Sequence, residues 1–176
     1  SPVGIKQFYR SIPQWLGKKL HVPSKIRRAL DGNFDSRIVF TEHHQSHAAS
    51  AFFPSPFEQA AIFTVDGVGE WASSSIGVGD KNKISLLYQQ NFPHSLGLLY
   101  AAFTAYCGFR VNSGEYKVMG LAPYGEPRFA DLIIERVIDL KEDGSFRLDM
   151  SYFDYCQANR MTSKKFDQLF GIGPRV

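Results

Sequence analysis

Ala60-Ala61-Ile62-Phe63-Thr64-Val65-Asp66-Gly67-Val68-Gly69-Glu70-Trp71 is the run on which the fold turns. Its first six residues are apolar or β-branched and too few for a helix, so they read as a buried strand. Asp66-Gly67-Val68-Gly69 then reads as a turn, because Asp and Gly tolerate the backbone angles a hairpin needs. Residues 71–78 and 84–90 carry strand-type side chains, joined by the polar turn Gly79-Asp80-Lys81-Asn82. Asp66 is thereby expected at a tip between antiparallel strands. Upstream, Arg37-Ile38-Val39-Phe40-Thr41 reads as another short strand. Residues 43–52 read as a helix, in which Ala48, Ala49 and Ala51 allow close packing and after which Pro54 stops the chain. Downstream, helices are expected over 96–107, from the Asn112-Ser113-Gly114-Glu115 loop through Leu121, over 129–140 and over 163–170, with a short strand at 146–148. Strands alternating with helices around a hairpin insertion give an α/β fold, expected as a mixed sheet flanked by helices.

The composition supports such a core. Of 176 residues, 44% are hydrophobic and 21% charged, with fifteen Phe and eight Tyr, which excludes disordered and fibrous classes. Cys107 and Cys156 lie in no CxxC, which fits a reduced, cytoplasmic protein better than a disulfide scaffold. No apolar run reaches the length of about 18 residues that a membrane span needs. The start Ser1-Pro2-Val3-Gly4 has no apolar signal region and reads as the edge of a fragment.

Charge is uneven. Lys6, Arg10, Lys18, Lys19, Lys25, Arg27 and Arg28 fall within the first 30 residues without one acid, although the whole chain carries only +3. A basic arm suits nucleic acid, an anionic membrane or another polyanion. The plainer reading, which we favour, is a solvated helix face, so nucleic acid is an unlikely partner. Ile5, Phe8, Tyr9, Ile12, Trp15, Leu16 and Leu20 show helical spacing that Pro13 should kink or split. A second short helix is expected from Pro23-Ser24 to Leu30, ended by Asp31-Gly32-Asn33. Residues 1–33 are taken as a basic helical insert and 34–176 as the remainder of one domain.

Three clusters carry chemistry. His43-His44-Gln45-Ser46-His47 puts His43 and His47 four apart on one helical face, able to address a single cation. Alone, such a pair is more often a surface cluster than a metal site. His44 points elsewhere and could touch a phosphate or an acceptor. Asp66, ending a buried strand, could complete a facial His-His-Asp set, which favours Fe2+ or Mn2+ over structural zinc. An Asp-Gly turn is also common without any metal. Gly67 and Gly69 could expose backbone amides to a phosphate. Gly114 allows close backbone approach at a helix start, Lys117 could neutralise a phosphate and Glu115 could accept from a ribose hydroxyl. The competing reading is a surface helix with a Glu–Lys pair.

At a larger scale the chain resembles a known family. The runs are Thr41-Glu42-His43-His44-Gln45-Ser46-His47-Ala48-Ala49-Ser50-Ala51-Phe52, Val65-Asp66-Gly67-Val68-Gly69-Glu70-Trp71, Asn91-Phe92-Pro93-His94-Ser95-Leu96-Gly97-Leu98-Leu99-Tyr100 and Val111-Asn112-Ser113-Gly114-Glu115-Tyr116-Lys117-Val118-Met119-Gly120-Leu121-Ala122-Pro123-Tyr124-Gly125. They are similar to the nodulation-protein and cephem-type O-carbamoyltransferases. The resemblance implies part of an actin-like (ribonuclease H-like, sugar-kinase-like) ATPase domain. It implies activation of carbamoyl phosphate by ATP to carbamoyl-adenylate, then transfer to a hydroxyl of a sugar or natural product. It implies metal ligation by His43, His47 and Asp66, and a nucleotide region lined by Gly114, Glu115 and Lys117. His44 is expected as the catalytic residue that takes the hydroxyl proton. The family's first strand and loop, a further ligand aspartate and the adenylate-forming domain are expected on the rest of a longer chain, so this segment alone should not turn over. A tRNA threonylcarbamoyl-type transferase and a non-catalytic partner-binding module are the alternatives.

Overall fold

The computed structural model describes residues 5–32, 34, 36–157 and 160–175, which fall into two compact units divided between Thr41 and Glu42. In the first unit, helix α1 spans Ile5–Gly17, a single 3-10 turn Lys19–His21 follows, and α2 spans Val22–Ala29. The expected split at Pro13 does not occur, since α1 continues to Gly17. Pro23 sits in the first turn of α2, where its missing N–H costs nothing. The strand expected at 37–41 is also absent. That segment pairs with no strand among the described residues, and Val39 and Phe40 are exposed. Its apolar run met the local preference of a strand without a neighbouring strand to pair with.

The second unit holds α3 (His43–Phe52), β1 (Gln59–Gly69), β2 (Ala72–Asp80), β3 (Lys83–Asn91), α4 (Leu96–Tyr106), α5 (Glu115–Leu121), α6 (Ala130–Arg136), β4 (Ile138–Leu140), β5 (Phe146–Leu148) and α7 (Lys164–Phe170). The class is α/β as expected. The expected mixed sheet is instead two antiparallel sheets, β1-β2-β3 and β4-β5. The helix expected over 129–140 stops at Arg136, because Ile138 and Leu140 pair across the hairpin with Leu148 and Phe146. No helix among the described residues is long and apolar enough to cross a membrane.

The turn expected at 66–69 lies inside β1, and the chain reverses at Glu70, whose φ is +59°. Regular pairing with β2 lapses between Val65 and Gly69, a bulge that re-aims Asp66 without ending the strand. One face of the sheet is covered by α3. His44, Ala48 and Phe52 form the buried stripe of that helix at intervals of four, and Phe52 packs with Ala48 and Ile62 beside Ala60, Ile84 and Leu86. Gly79 is required there, since a Cβ at that position would stand 2.6 Å from the Phe52 ring. Burying Phe52 and Ile62 stabilises by about 1.5–3 kcal/mol each.

A second core gathers Ala102, Tyr106, Val137, Phe146, Leu148, Tyr152, Phe153 and Phe166. Phe166, fully buried, meets Phe103 and Tyr106 edge-on at centroid distances of 5.2 and 4.9 Å. Helix α4 joins the two regions: its residues pack in this aromatic cluster, and its first turn abuts β1.

Candidate metal centre

Helix α3 carries His43 and His47 one turn apart, and the bulged end of β1 brings Asp66 beneath them. His43 Nε2 lies 2.6 Å from Asp66 Oδ2, His47 Nε2 lies 3.5 Å from the same oxygen, and the two Nε2 atoms are 2.9 Å apart. Three lone-pair carriers this close repel one another unless a proton or a cation lies among them. Their separations also match what an ion at roughly 2.1 Å from each ligand imposes at right angles, about 3 Å. The donor set therefore fits one divalent cation with open positions. The three residues are half-buried to exposed, so the open side faces solvent.

The backbone around Asp66 is held from two sides. Its Oδ1 accepts from the Gly67 N–H at 2.7 Å, leaving Oδ2 for the histidines. Ser95 caps α4, accepting from the Leu98 N–H at 3.0 Å while its hydroxyl donates to the Gly67 carbonyl at 2.6 Å. Gly97 lies so close that a Cβ would stand 2.5 Å from the Asp66 carbonyl oxygen. Burial works against the Asp66 carboxylate, but the hydrogen bond from His43, the Gly67 amide and the two nearby imidazoles outweigh it and hold the carboxyl below its ordinary range. A carboxylate that stays ionised is what a cation ligand requires.

His44 takes a different position. It is buried on the sheet side of α3, with Nδ1 2.6 Å from Ser75 Oγ and 3.0 Å from Thr64 Oγ1. Burial, followed by the charge of His43, pushes its imidazolium below the ordinary range, against a smaller opposing pull from Asp66. Its ring also lines a cleft of about 150 Å³ shared with Glu42, His43, Gly69, Glu70 and Trp71. Thr64 and Ser75 escaped the reading of the sequence. Their signal was a run of small polar residues, Ser73-Ser74-Ser75, within a strand that buries four residues in a row at its start.

The glycines divide. Gly69 presses on the histidines: a Cβ there would lie 2.3 Å from His43 Cδ2 and 2.9 Å from His44 Cδ2. Gly67 has nothing within 4 Å of its Cβ direction, and its N–H is engaged by Asp66. Gly114, Glu115 and Lys117 lie at the start of α5, tied to α4 by the Tyr100 hydroxyl donating to the Glu115 carbonyl at 3.1 Å. Glu115 accepts from the Asn112 and Gly114 amides at 2.8 and 3.1 Å, and these bonds lower its carboxyl below the ordinary range. A Cβ on Gly114 would collide with Phe109 and Arg110. Lys117 holds its ammonium 5.9 Å from the Phe109 ring and 6.0 Å from that of Tyr116.

The model of the family "Carbamoyltransferase N-terminus" matches residues 1–175. The chain belongs to the carbamoyltransferase N-terminus family. Among its relatives, the protein sll1178 of Synechocystis is 52% identical over 181 residues, covering 99% of this chain and 29% of that protein. Nodulation protein NolNO of Sinorhizobium fredii is 40% identical over 145 residues, covering 82% of this chain and 21% of the relative. Nodulation protein NolO of Bradyrhizobium diazoefficiens is 40% identical over 109 residues, covering 61% and 20%. The carbamoyltransferase N-terminus seen here thus spans less than a third of the length of these relatives.

Proposed function

We propose that the chain is the metal- and nucleotide-binding part of an ATP-dependent O-carbamoyltransferase. The full protein would pass a carbamoyl group from carbamoyl phosphate, through carbamoyl-adenylate, to a hydroxyl of a sugar or natural-product acceptor. The observation that carries this reading is the convergence of His43 Nε2, His47 Nε2 and Asp66 Oδ2 in a chain that belongs to the carbamoyltransferase family along its length. In this reading residues 34–176 are part of an actin-like ATPase domain and residues 1–33 a basic helical insert.

His43, His47 and Asp66 would hold a divalent ion, Fe2+ or Mn2+ by the mixed imidazole and carboxylate donor set. When bound, such an ion supplies Lewis acidity that polarises a carbonyl or phosphoryl oxygen. Asp66 keeps the negative charge the site needs, and the Gly67 amide orients its carboxylate. His44 contributes a buried, neutral imidazole at the wall of the adjoining cleft. Gly69 lets the backbone approach the bound group, and Lys117, with Gly114 and the Glu115 loop, lines the nucleotide region and offers a phosphate its charge.

Two measurements on the full-length protein test this together. Elemental analysis should find about one Fe or Mn per chain, and ATP should be converted to AMP only when carbamoyl phosphate is present. Loss of carbamoyl transfer with metal loss in His43→Ala or His47→Ala supports the assignment. Transfer retained in a metal-free His43→Ala protein overturns it.

A further inference from the structure

We propose that Thr64 and Ser75 are positioning residues that hold His44 as the Nε2–H tautomer, making it a fixed hydrogen-bond donor to a ligand oxygen in the cleft beside His43, rather than a base. The inference refines the role of one residue within the carbamoyltransferase reading and rests on that reading for its ligand.

Thr64 and Ser75 are direct cross-strand partners on β1 and β2, both buried on the face that α3 covers. Their hydroxyls converge on one atom, His44 Nδ1, at 3.0 and 2.6 Å. Each hydroxyl has one proton to place, and among the described residues Nδ1 is the acceptor in reach of both side chains. If Nδ1 accepts, Ser75 Oγ–H donates along the shorter contact, Thr64 shares the same lone pair, and only Nε2–H is left over. If Nδ1 carries the proton instead, two buried hydroxyl protons lose their acceptor and Nε2 is still unpaired. Buried polar groups are overwhelmingly paired, so the first arrangement is strongly preferred.

Nε2 is fully buried and has no hydrogen-bond partner among the described residues. Its edge of the ring lies against Gly69, the position at which a Cβ would press on His44 Cδ2. His44 lines the cleft together with His43, Glu42, Glu70 and Trp71, and Gly69 places no side chain of its own between them. The ring centroid is 5.9 Å from that of His43 and 6.2 Å from that of His47. A donor so placed can bind an oxygen of a small acyl or phosphoryl group seated beside the metal ligands. It cannot take a proton there, because its only lone pair points into the sheet.

Histidine-selective 15N labelling of the full-length protein tests the tautomer by long-range proton–nitrogen correlations, with the His44 signal assigned by its loss in His44→Gln. The proposal expects the Nε2–H pattern in the wild type. It also expects the Nδ1 nitrogen resonance to move toward that of an acceptor without a hydrogen bond in the Thr64→Val/Ser75→Ala double variant, and to stay near the wild-type position in Thr64→Ser. A wild-type Nδ1–H pattern overturns it, whether or not the protein transfers carbamoyl groups. In the transfer assay, Gln can present an N–H where Nε2 stood but cannot act as a base. His44→Gln should retain activity within about tenfold while His44→Ala loses at least about a hundredfold. Equal losses in the two variants overturn the donor role. Absence of carbamoyl transfer in the wild type overturns the functional reading alone and leaves the tautomer to the spectrum.

Discussion

The two faces of the β1-β2-β3 sheet use similar side chains to opposite ends. Beneath α3 the strands present Ala60, Ile62, Thr64, Ser75, Gly77, Gly79, Ile84 and Leu86, and the helix adds His44, Ala48 and Phe52. On the other face Phe63, Val65, Ile76, Val78 and Tyr88 are all exposed, and the strands supply the bulk themselves. Hydrophobicity alone does not separate the faces, since Ile62 and Phe63 are equally apolar neighbours. Volume on β2 does. Where Phe52 rests on the sheet that strand thins to glycine and serine between Ile62 on one side and Ile84 and Leu86 on the other, whereas on the open face it keeps Ile76 and Val78. The polar pair hidden on the thin face is also the pair that meets His44.

The largest expected effect breaks this comparison directly. Ile62→Ala should lower the unfolding free energy of the 176-residue chain by about 2–5 kcal/mol, read by urea titration, through loss of the Phe52 contact. Phe63→Ala, next to it but on the open face, should change stability by no more than about 0.5 kcal/mol. Equal costs would erase the distinction between the faces.

A second test targets the ligands on the covered side. His43→Ala should weaken divalent metal binding by about a hundredfold, or roughly 2.7 kcal/mol at 1.36 kcal/mol per decade, measured by competition with a chelating indicator. Unchanged affinity would mean that the convergence at Asp66 is a hydrogen-bonded cluster only. A smaller effect sharpens the role of the bulge. Gly69→Ala pushes a methyl into both His43 and His44 and should cost about tenfold in the same assay. Gly67→Ala meets nothing within 4 Å and should leave affinity within about twofold.

Acid stability gives the smallest signal. The Asp66 carboxyl is held below its ordinary value of 3.8 in the folded chain. Its contribution is therefore complete above that pH and disappears as pH falls through the lowered folded value. Asp66→Asn should flatten that acid limb of stability, and an unchanged limb would place the linkage elsewhere.

Much of this was legible locally. The four-residue spacing of His43 and His47 put both imidazoles on one side of α3, and the apolar run at 60–65 made β1. The 146–148 strand and the helices at 96–107, 115–121 and 163–170 followed from equally local signals. What was hidden depended on partners distant in sequence. The 37–41 run has strand residues but no neighbouring strand to pair with among the described residues. Ile138 and Leu140 look helical until the hairpin to Phe146 and Leu148 claims them. Asp66-Gly67-Val68-Gly69 has turn residues, yet the reversal waits for Glu70 because the strand bulges instead. His44 could be seen as a candidate for chemistry. Its two hydroxyl partners could not, because they come from separate strands that meet only in the sheet.

Where α4 meets β1, Gly97 leaves the helix backbone close against the Asp66 carbonyl, beside the Ser95 hydroxyl that donates to it at 3.1 Å. That gap works like a machinist's gauge. A side chain at Gly97 would act as a shim, wedged against the backbone that carries the Asp66 carboxylate. Over its 11 residues α4 is an arm of about 16 Å, with its far end set among Phe103, Tyr106 and Phe166. The aromatic cluster thus anchors the helix whose other end abuts the backbone of Asp66.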